Sequence, residues 1–285
     1  MENKKKYIII LILTSILWST GGTIIKLISW NSFTVAGMRS LIAAITVLLV
    51  TRKFTFRLNK YQWIGALTYA ACVILIVVAN KYTTVANAVL LTYTSPIYTA
   101  IGGYFVLKEK VRKIDVLSIA VIFLGLILFV ADGLSVGHLF GNIIALLSGV
   151  FFGLMIVFLR KAKESNPYLN MIWGNLIAFV VCIPFMEKGE ITATNIKLIL
   201  ILGVFQLGIS YVMYAYAIRG VTALEANVIT ILEPILSTVW AFLIYEEVPT
   251  NVSILGGIIV ILGILLKEIG MPVKEYEKEG QSNVL

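Results

Sequence analysis

Long apolar runs separated by short polar segments make up most of the chain from residue 7 to residue 269. A helix needs about 20 apolar residues to cross the hydrocarbon core of a bilayer. About ten runs approach this length, and no connection between them could hold a soluble domain. The predicted spans cover residues 7–29, 33–51, 62–80, 85–107, 113–131, 138–160, 168–185, 195–218, 222–245 and 251–269. The pattern therefore predicts an all-α integral membrane protein.

The composition agrees with this prediction. The chain is 59% hydrophobic and 13% charged, whereas a soluble domain carries about 25% charged residues. A net charge of +8 would suggest nucleic acid as a partner of a soluble protein, but here loop charges that orient the chain in the membrane explain it. We expect the lipid bilayer, and no nucleic acid, as a partner. Cys72, Cys182 and the single histidine have no metal-binding spacing, so we expect no metal and no cofactor.

Basic residues predict the orientation of the chain. With the N-terminus in the cytoplasm, 18 of the 23 Lys and Arg residues lie in cytoplasmic segments, three lie outside, and Lys26 and Arg39 lie within spans. Cytoplasmic loops of membrane proteins are enriched in Lys and Arg. We therefore expect a cell-membrane protein with both termini in the cytoplasm. The end of the molecule that carries the termini is called the predicted cytoplasmic face, and the opposite end the predicted outer face.

The sequence contains an internal repeat. Residues 84–128 align without gaps on residues 222–266. The matched residues include Thr92 with Thr230, Pro96 with Pro234, Glu109 with Glu247, and Gly125 with Gly263. Five spans per copy is an odd number, so the second copy is inverted in the membrane, a plan typical of transporters. We expect repeats at residues 1–131 and 138–269 around a central cavity, then a charged cytoplasmic tail at 270–285. The alternative is a duplication that only forms a stable bundle.

Two matched segments carry a family resemblance. The first runs from Thr84 through Pro96 to Glu109, and the second from Leu232 to Glu247. Over residues 7–269 the chain resembles the drug/metabolite transporter superfamily, in particular proteins with two EamA domains. The resemblance implies a cavity formed by spans 1, 3, 4, 6, 8 and 9. It leaves the substrate open among amino acids, sugars, purines, drugs and other metabolites.

Two prolines interrupt apolar runs near their middles. Pro96 and Pro234 cannot donate a backbone hydrogen bond, so they free the carbonyl groups of Thr92 and Thr230. In one interpretation these kinks open polar backbone to a central cavity and act in gating. In the other they are static packing kinks, because proline is common in membrane helices.

Two charged residues lie well inside predicted spans. Glu233 is near the middle of span 9, where a charge costs about 2.5–3.5 kcal/mol. It is either a site for a substrate amine or a proton, or a carboxylate that hydrogen-bonds neighbouring helices. Arg39 either reaches toward the outer face, pairs with Glu233, or holds an anionic substrate group. Lys26 either snorkels to the outer interface or joins Arg39 in binding a carboxylate.

Polar and aromatic residues on the spans expected to line the cavity complete the predicted substrate site. They are Trp18, Tyr69, Tyr93, Gln206, Ser210 and Tyr214. Such a set suits a ligand with an apolar body and a polar head. The alternative role is hydrogen bonding between helices. Gly149 and Gly153 predict close helix packing, within the protomer or in a homodimer.

These features together predict a secondary transporter of a small-molecule substrate. An exporter of an amino-acid- or amine-like compound is the first expectation, and an uptake permease for a sugar or other metabolite is the alternative. A receptor or scaffold that does not transport is a third class. An enzyme is not expected, because the sequence has no HExxH, GxSxG or Walker A motif, and so we assign no catalytic residues.

Overall fold

The computed structural model describes residues 2–83, 85–130, 138–163, 165–245 and 250–269, which form ten successive helical spans. The helices, grouped by span, are Glu2–Ser19 and Gly21–Leu27 (span 1), Ser32–Thr51 (span 2), Lys60–Tyr82 (span 3), Val85–Thr92, Ser95–Gly102 and Gly103–Leu107 (span 4), Lys113–Val130 (span 5), Leu139–Lys161 (span 6), Pro167–Cys182 and Ile183–Phe185 (span 7), Ala193–Ile201, Leu202–Ile209 and Ser210–Ala217 (span 8), Ala223–Thr230 and Leu232–Tyr245 (span 9), and Asn251–Ile269 (span 10). The prediction of an all-α membrane protein is confirmed.

The outer surface of the helices is apolar. Within the described residues, six spans are long and apolar enough to cross a membrane: spans 1, 2, 3, 6, 7 and 8. Large apolar side chains such as Leu49, Leu67 and Phe105 are exposed, while Ser40 and Ser148 are fully buried. This arrangement suits a protein surrounded by hydrocarbon, because helices satisfy their backbone hydrogen bonds internally and polar side chains turn inward.

Short polar side chains fix where helices begin. Asn59 accepts a hydrogen bond from the backbone N–H of Gln62, and the Gln62 side chain accepts one from the N–H of Asn59. Thr222 and Glu225 form the same reciprocal pair at the start of span 9. These capping boxes satisfy N–H groups that have no partner within the helix. They set the first turn of spans 3 and 9, which are both cavity-lining spans by resemblance.

Spans related by the repeat make related contacts. Span 1 packs against spans 8 and 9, as span 6 packs against spans 3 and 4; span 2 packs on span 7, and span 5 on span 10. A Cβ atom on Gly125 would lie 2.7 Å from the Val260 nitrogen, and one on its counterpart Gly263 2.6 Å from the Ile122 side chain. Two inverted five-helix repeats thus interlock, as predicted. The boundaries at residues 131 and 138 and the tail at 270–285 stay predictions, because 131–137 and 270–285 lie outside the described residues.

Span 1 differs from the unbroken helix that its apolar pattern predicts. It breaks at Thr20, directly before Gly21 and Gly22. A Cβ atom on Gly21 would lie 2.7 Å from Nε2 of Gln206. The small residue therefore lets span 8 approach the break closely. Spans 4 and 8 also contain the π-helical segments Gly103–Leu107 and Leu202–Ile209, which apolar periodicity does not reveal.

Candidate substrate site

Spans 4 and 9 are interrupted near their middles, before Pro96 and Pro234. Span 9 breaks between Thr230 and Leu232. Because Pro234 has no N–H to donate, the Thr230 carbonyl needs another partner, and the Tyr93 hydroxyl lies 3.1 Å from its oxygen. A side chain of the first repeat therefore hydrogen-bonds a backbone group freed in the second.

Gly149 and Gly153 of span 6 pack against the break in span 4. A Cβ atom on Gly149 would lie 2.8 Å from the carbonyl oxygen of Thr92, and one on Gly153 2.8 Å from that of Ser95. The Thr92 carbonyl is the group that Pro96 leaves without its helical donor. The two glycines therefore serve helix packing within the protomer.

Asn227 joins the two broken spans across the repeat interface. Its Oδ1 accepts a hydrogen bond from the Ser95 hydroxyl at 3.1 Å, and its Nδ2 donates to Thr99 Oγ1 at 2.6 Å. None of these three residues is exposed. Sequence reasoning missed Asn227, although a polar side chain inside an apolar run was the available signal.

Glu233 lies just beyond the break in span 9 and is partly exposed. Its Oε2 accepts a hydrogen bond from the Tyr93 hydroxyl at 2.5 Å. Among the described residues, no Lys, Arg or His forms an ion pair with Glu233. The pairing with Arg39, one of the alternatives from the sequence, is therefore not formed, and the carboxylate is held by a neutral donor.

Span 1 anchors the helix that carries Glu233. The Trp240 indole N–H donates to Ser19 Oγ at 2.7 Å, and the Ser237 hydroxyl lies 3.0 Å from the Ser19 carbonyl oxygen. These contacts connect span 9 to the break in span 1. The breaks in spans 1, 4 and 9 therefore belong to one hydrogen-bonded region.

Six aromatic side chains pack in contact near these breaks and form what we call the aromatic group. They are Trp18, Tyr69, Tyr93, Phe152, Tyr211 and Tyr214. The Trp18 ring centroid lies 4.7 Å from that of Tyr211 and 5.1 Å from that of Tyr214. Tyr69 contacts Tyr211 at 4.9 Å, and Phe152 lies 5.8 Å from Trp18 and 6.4 Å from Tyr93. The aromatic group therefore extends from span 3 to Tyr93, the partner of Glu233.

Some polar atoms of this region are paired within the protein and others are not. The Trp18 indole N–H donates to Ser210 Oγ at 2.9 Å, and Asn175 Nδ2 donates to the Tyr69 hydroxyl at 3.0 Å. The Tyr214 hydroxyl and Asn175 Oδ1 are buried and have no hydrogen-bond partner in the described protein. Because buried polar atoms are normally paired, these two atoms retain unused hydrogen-bonding capacity within the described residues.

Arg39 lies in span 2 and is only 1% exposed. Its Nη2 donates to the Val73 carbonyl at 2.7 Å, and its Nη1 lies 3.4 Å from Gln206 Oε1. Lys26 is exposed, and its Nζ lies 3.4 Å from the Thr83 carbonyl oxygen. The two cations therefore differ in exposure: Arg39 is buried between helices, whereas Lys26 lies at the surface.

The structure connects the eight predicted substrate residues. Glu233 contacts Tyr93, the aromatic group joins Tyr93 to Trp18 and Tyr69, and span 8 contributes Tyr214, Ser210 and the Arg39 partner Gln206. Phe152, Asn175 and Asn227 complete the region and were missed. Among the residues that the structure describes, no three His, Cys, Asp or Glu side chains are grouped to hold a metal ion.

Glu109 forms a polar contact between the repeats at the predicted cytoplasmic face. Its Oε1 lies 3.3 Å from Nε of Arg160, and its Oε2 accepts the backbone N–H of Ala223 at 3.1 Å. Arg160 also donates to the carbonyls of Ile218 and Arg219 at 2.7 and 2.9 Å. Burial raises the pKa of Glu109 above its ordinary value of 4.5, although the Arg160 guanidinium opposes this shift.

A second ion pair lies at the same face. Lys4 Nζ is 2.6 Å from Oε1 of Glu225, whose other oxygen accepts the Thr222 N–H at 2.7 Å. Together with the contacts of Glu109 and Arg160, these bonds form what we call the inner network. It joins spans 1, 4, 6 and 9 at the predicted cytoplasmic face.

Two inverted five-helix repeats, with a broken helix of each repeat meeting at the centre, are the architecture of a membrane transporter. The sequence profile of the EamA-like transporter family matches residues 5–131 and 139–267. The chain belongs to that family, and with it to the drug/metabolite transporter superfamily. The family assignment expected from the resemblance is therefore confirmed.

Individual relatives agree with this assignment. An uncharacterized transporter of Clostridium kluyveri is 28% identical, with 92% of this chain and 93% of the relative covered. A human protein named solute carrier family 35 member G1 is 25% identical, with 93% of this chain and 78% of the relative covered. A solved crystal structure superposes with a TM-score of 0.77 at 15% identity, covering 91% of this chain and 97% of that chain. This last similarity concerns the fold alone.

Proposed function

We propose that this protein is a secondary transporter that exports a small polar or amphipathic, amino-acid- or amine-like metabolite across the cytoplasmic membrane. The observation that carries this proposal is Glu233. Glu233 is partly exposed beside a helix break, and among the described residues its carboxylate has a tyrosine hydroxyl, but no cation, as its partner. A charge inside a membrane protein is normally compensated or functional. A protonated substrate amine would compensate it.

The aromatic group supports a substrate with an apolar body. Trp18 and Tyr214 present ring faces at 5.1 Å centroid separation, and Tyr93 links this cluster to Glu233. Aromatic faces attract cations and pack against apolar groups, so one region suits both ends of an amphipathic amine. The Tyr214 hydroxyl, which has no hydrogen-bond partner among the described residues, adds hydrogen-bonding capacity.

Transport requires that the site open to each side of the membrane in turn, and the contacts suggest how this occurs. The inner network holds the predicted cytoplasmic face closed through Arg160, which donates to the Ile218 and Arg219 carbonyls beside Glu109, and through Lys4 with Glu225. Opening this face breaks both ion pairs. The interrupted helices of spans 4 and 9 are the flexible elements, because their breaks remove backbone hydrogen bonds. Pro96, Pro234, Thr92 and Thr230 thus act in gating.

The proposed location is the cytoplasmic membrane, with both termini inside. The described connections rich in Lys and Arg lie at the face that carries the inner network. Reporter fusions after residues 53, 110 and 190 test the orientation. The first two are expected on the cytoplasmic side and the third outside.

Metabolite distribution tests the proposed function. Cells that overproduce the native protein are compared with cells producing Glu233→Gln at equal membrane abundance, and metabolites are measured inside and outside. Glu187→Gln, at an exposed carboxylate of the predicted outer face, is the matched control. We expect an amine-bearing compound to move outward with the native protein and the control, but not with Glu233→Gln.

Other results would contradict the proposal in different ways. Accumulation of a sugar or another metabolite inside the cells would indicate an uptake permease. A saturable ligand without net flux in proteoliposomes would indicate a receptor. Equal export by native protein and Glu233→Gln would remove the carboxylate from the mechanism.

A further inference from the structure

Arg39 differs from the other buried cation of the described residues. Arg39 is 1% exposed and Lys267 is 3% exposed. Lys267 forms an ion pair with Asp115, whose Oδ1 lies 2.6 Å from its Nζ. Arg39 has no carboxylate within ion-pair distance in the described part of the chain. Buried charges are normally paired with an opposite charge. Within the described residues, the Arg39 guanidinium departs from this rule because it has no counter-charge.

The protein partners of Arg39 are neutral and use only part of its hydrogen-bonding capacity. Nη2 donates to the Val73 carbonyl at 2.7 Å, Nη1 lies 3.4 Å from Gln206 Oε1, and Nε has no partner among the described residues. A guanidinium presents five N–H donors in a planar fork that matches a carboxylate. An anion bound at Arg39 would accept hydrogen bonds from the N–H groups that lack an acceptor, and it would also compensate the positive charge.

Arg39 also lies next to the proposed substrate site. Its partner Gln206 lies one helical turn before Ser210 on span 8. Ser210 accepts a hydrogen bond from the Trp18 indole. Val73, which accepts the other Arg39 hydrogen bond, follows Tyr69 of the aromatic group by one helical turn of span 3. Two unlike charges that are not paired with each other therefore border one region.

From this arrangement we infer that Arg39 binds the carboxylate of the substrate while Glu233 binds its amine. The inference rests on the proposed function and narrows the substrate to one class. That class is amphoteric molecules with a protonated amine, a carboxylate and an apolar body between or beside them. Simple amines lack the group that would compensate Arg39, and sugars lack both charges.

Ligand binding by the native protein in detergent is the first test. L-phenylalanine is compared with phenethylamine, which lacks the carboxylate, and with 3-phenylpropionate, which lacks the amine. L-leucine, 3-methylbutylamine and 4-methylpentanoate form a second series without an aromatic ring. Affinities come from thermal-shift titrations. We expect at least one amino acid to bind about tenfold or more tightly than both of its analogues, because a site built for a polar group discriminates against ligands without it.

Variants then assign each charge to one end of the ligand. Arg39→Gln is expected to lower the affinity for the amino acid to that for the amine, and to leave amine binding unchanged. Glu233→Gln is expected to weaken both ligands. Arg39→Lys keeps the positive charge but loses the planar, two-pronged guanidinium, so we expect an intermediate affinity for the amino acid. If Arg39→Gln fails to fold, the native ligand series and Arg39→Lys still decide the inference.

Three outcomes would overturn the inference. Amines that bind the native protein as tightly as the amino acids would leave Arg39 without a role in binding. Equal weakening of both ligands by Arg39→Gln would indicate a structural arginine. The third outcome is that chloride or phosphate stabilises the native protein but not Arg39→Gln, while amino acids bind no more tightly than their analogues. That result would show that Arg39 binds an inorganic anion and not the substrate carboxylate. If neither amines nor amino acids bind, the proposed function fails as well. If amines bind as tightly as amino acids, and Glu233→Gln weakens them, only the Arg39 inference fails.

Discussion

The Tyr93 hydroxyl lies 2.5 Å from Glu233 Oε2 and 3.1 Å from the Thr230 carbonyl oxygen, so two acceptors share one donor. A hydroxyl has a single proton to donate. When Glu233 is ionised, its charge attracts that proton more strongly than the carbonyl does. When the carboxylate is neutralised by a proton or a substrate amine, the hydroxyl can turn to Thr230. Under the proposed function, occupation of the site would thereby be coupled to the break in span 9.

Tyr93→Phe removes this hydroxyl and keeps the ring. We expect the variant to be about 1–3 kcal/mol less stable, because a buried acceptor loses its partner, and we expect transport to fall. Thermal unfolding and efflux rate are the measurements. Tyr104→Phe, at a side chain that is 55% exposed, is the control. A Tyr93→Phe protein with native efflux and native unfolding temperature would contradict this coupling.

Asn227→Ala tests the link between the broken spans. The change removes the amide that accepts from Ser95 and donates to Thr99. Because both hydroxyls are buried, we expect the free energy of unfolding to fall by about 1–3 kcal/mol. The measurement is urea or thermal unfolding in detergent, with the exposed Asn251→Ala as control. Equal loss in the two variants would show that Asn227 has no special role.

The apolar pattern was sufficient to predict the spans, because lipid requires long helices that satisfy their own backbone. The alignment of Pro96 with Pro234 likewise predicted the two central breaks, since proline cannot donate. Composition and spacing do not state which helices lie side by side. Asn227, Phe152 and Asn175 act through partners on other spans. A polar residue within an apolar run, such as Asn227, can be noticed in the sequence, but its partners cannot be identified there.

Arg39 illustrates the same limit. The sequence placed a cation inside span 2 and left open whether it pairs with Glu233, holds an anionic group or reaches to the interface. Only the distances to Val73 and Gln206 show that its present partners are neutral. The π-helical turn at Leu202–Ile209 changes the direction of the residues before Ser210. Regular helical spacing could not predict that change.

Gly153→Ala tests the close approach of span 6 to span 4. The added Cβ would lie 2.8 Å from the Ser95 carbonyl oxygen and 3.0 Å from the Thr99 nitrogen. Both are backbone atoms that cannot rotate away, so we expect a loss of about 1–3 kcal/mol in stability. Gly103→Ala is the matched control, because its Cβ would meet only the Glu109 side chain at 3.7 Å. Similar unfolding temperatures for both variants would refute tight packing at Gly153.

Arg160→Gln tests the inner network. The change removes the cation beside Glu109 and the donors to the Ile218 and Arg219 carbonyls. We expect the predicted cytoplasmic face to open more often, with amide exchange of residues 218–223 faster by about fivefold or more, since one such contact contributes about 1 kcal/mol. Hydrogen exchange measures this directly. Lys161→Gln, at an exposed neighbour, should leave the rate unchanged.

The protonation of Glu109 predicts a pH response of the same face with a definite sign. Burial raises its pKa above the ordinary 4.5 despite the nearby Arg160, so the closed arrangement favours the protonated acid over the carboxylate. The contribution of Glu109 to closure is therefore fully present below 4.5 and is lost as the pH rises through the raised pKa. We expect protection of the 218–223 amides, corrected for intrinsic exchange, to decrease as the pH rises. Glu109→Gln should remove this dependence and keep the face closed, whereas the control Glu187→Gln should retain it. Protection that instead increases with pH would show that attraction between Glu109 and Arg160 outweighs the cost of burying the carboxylate.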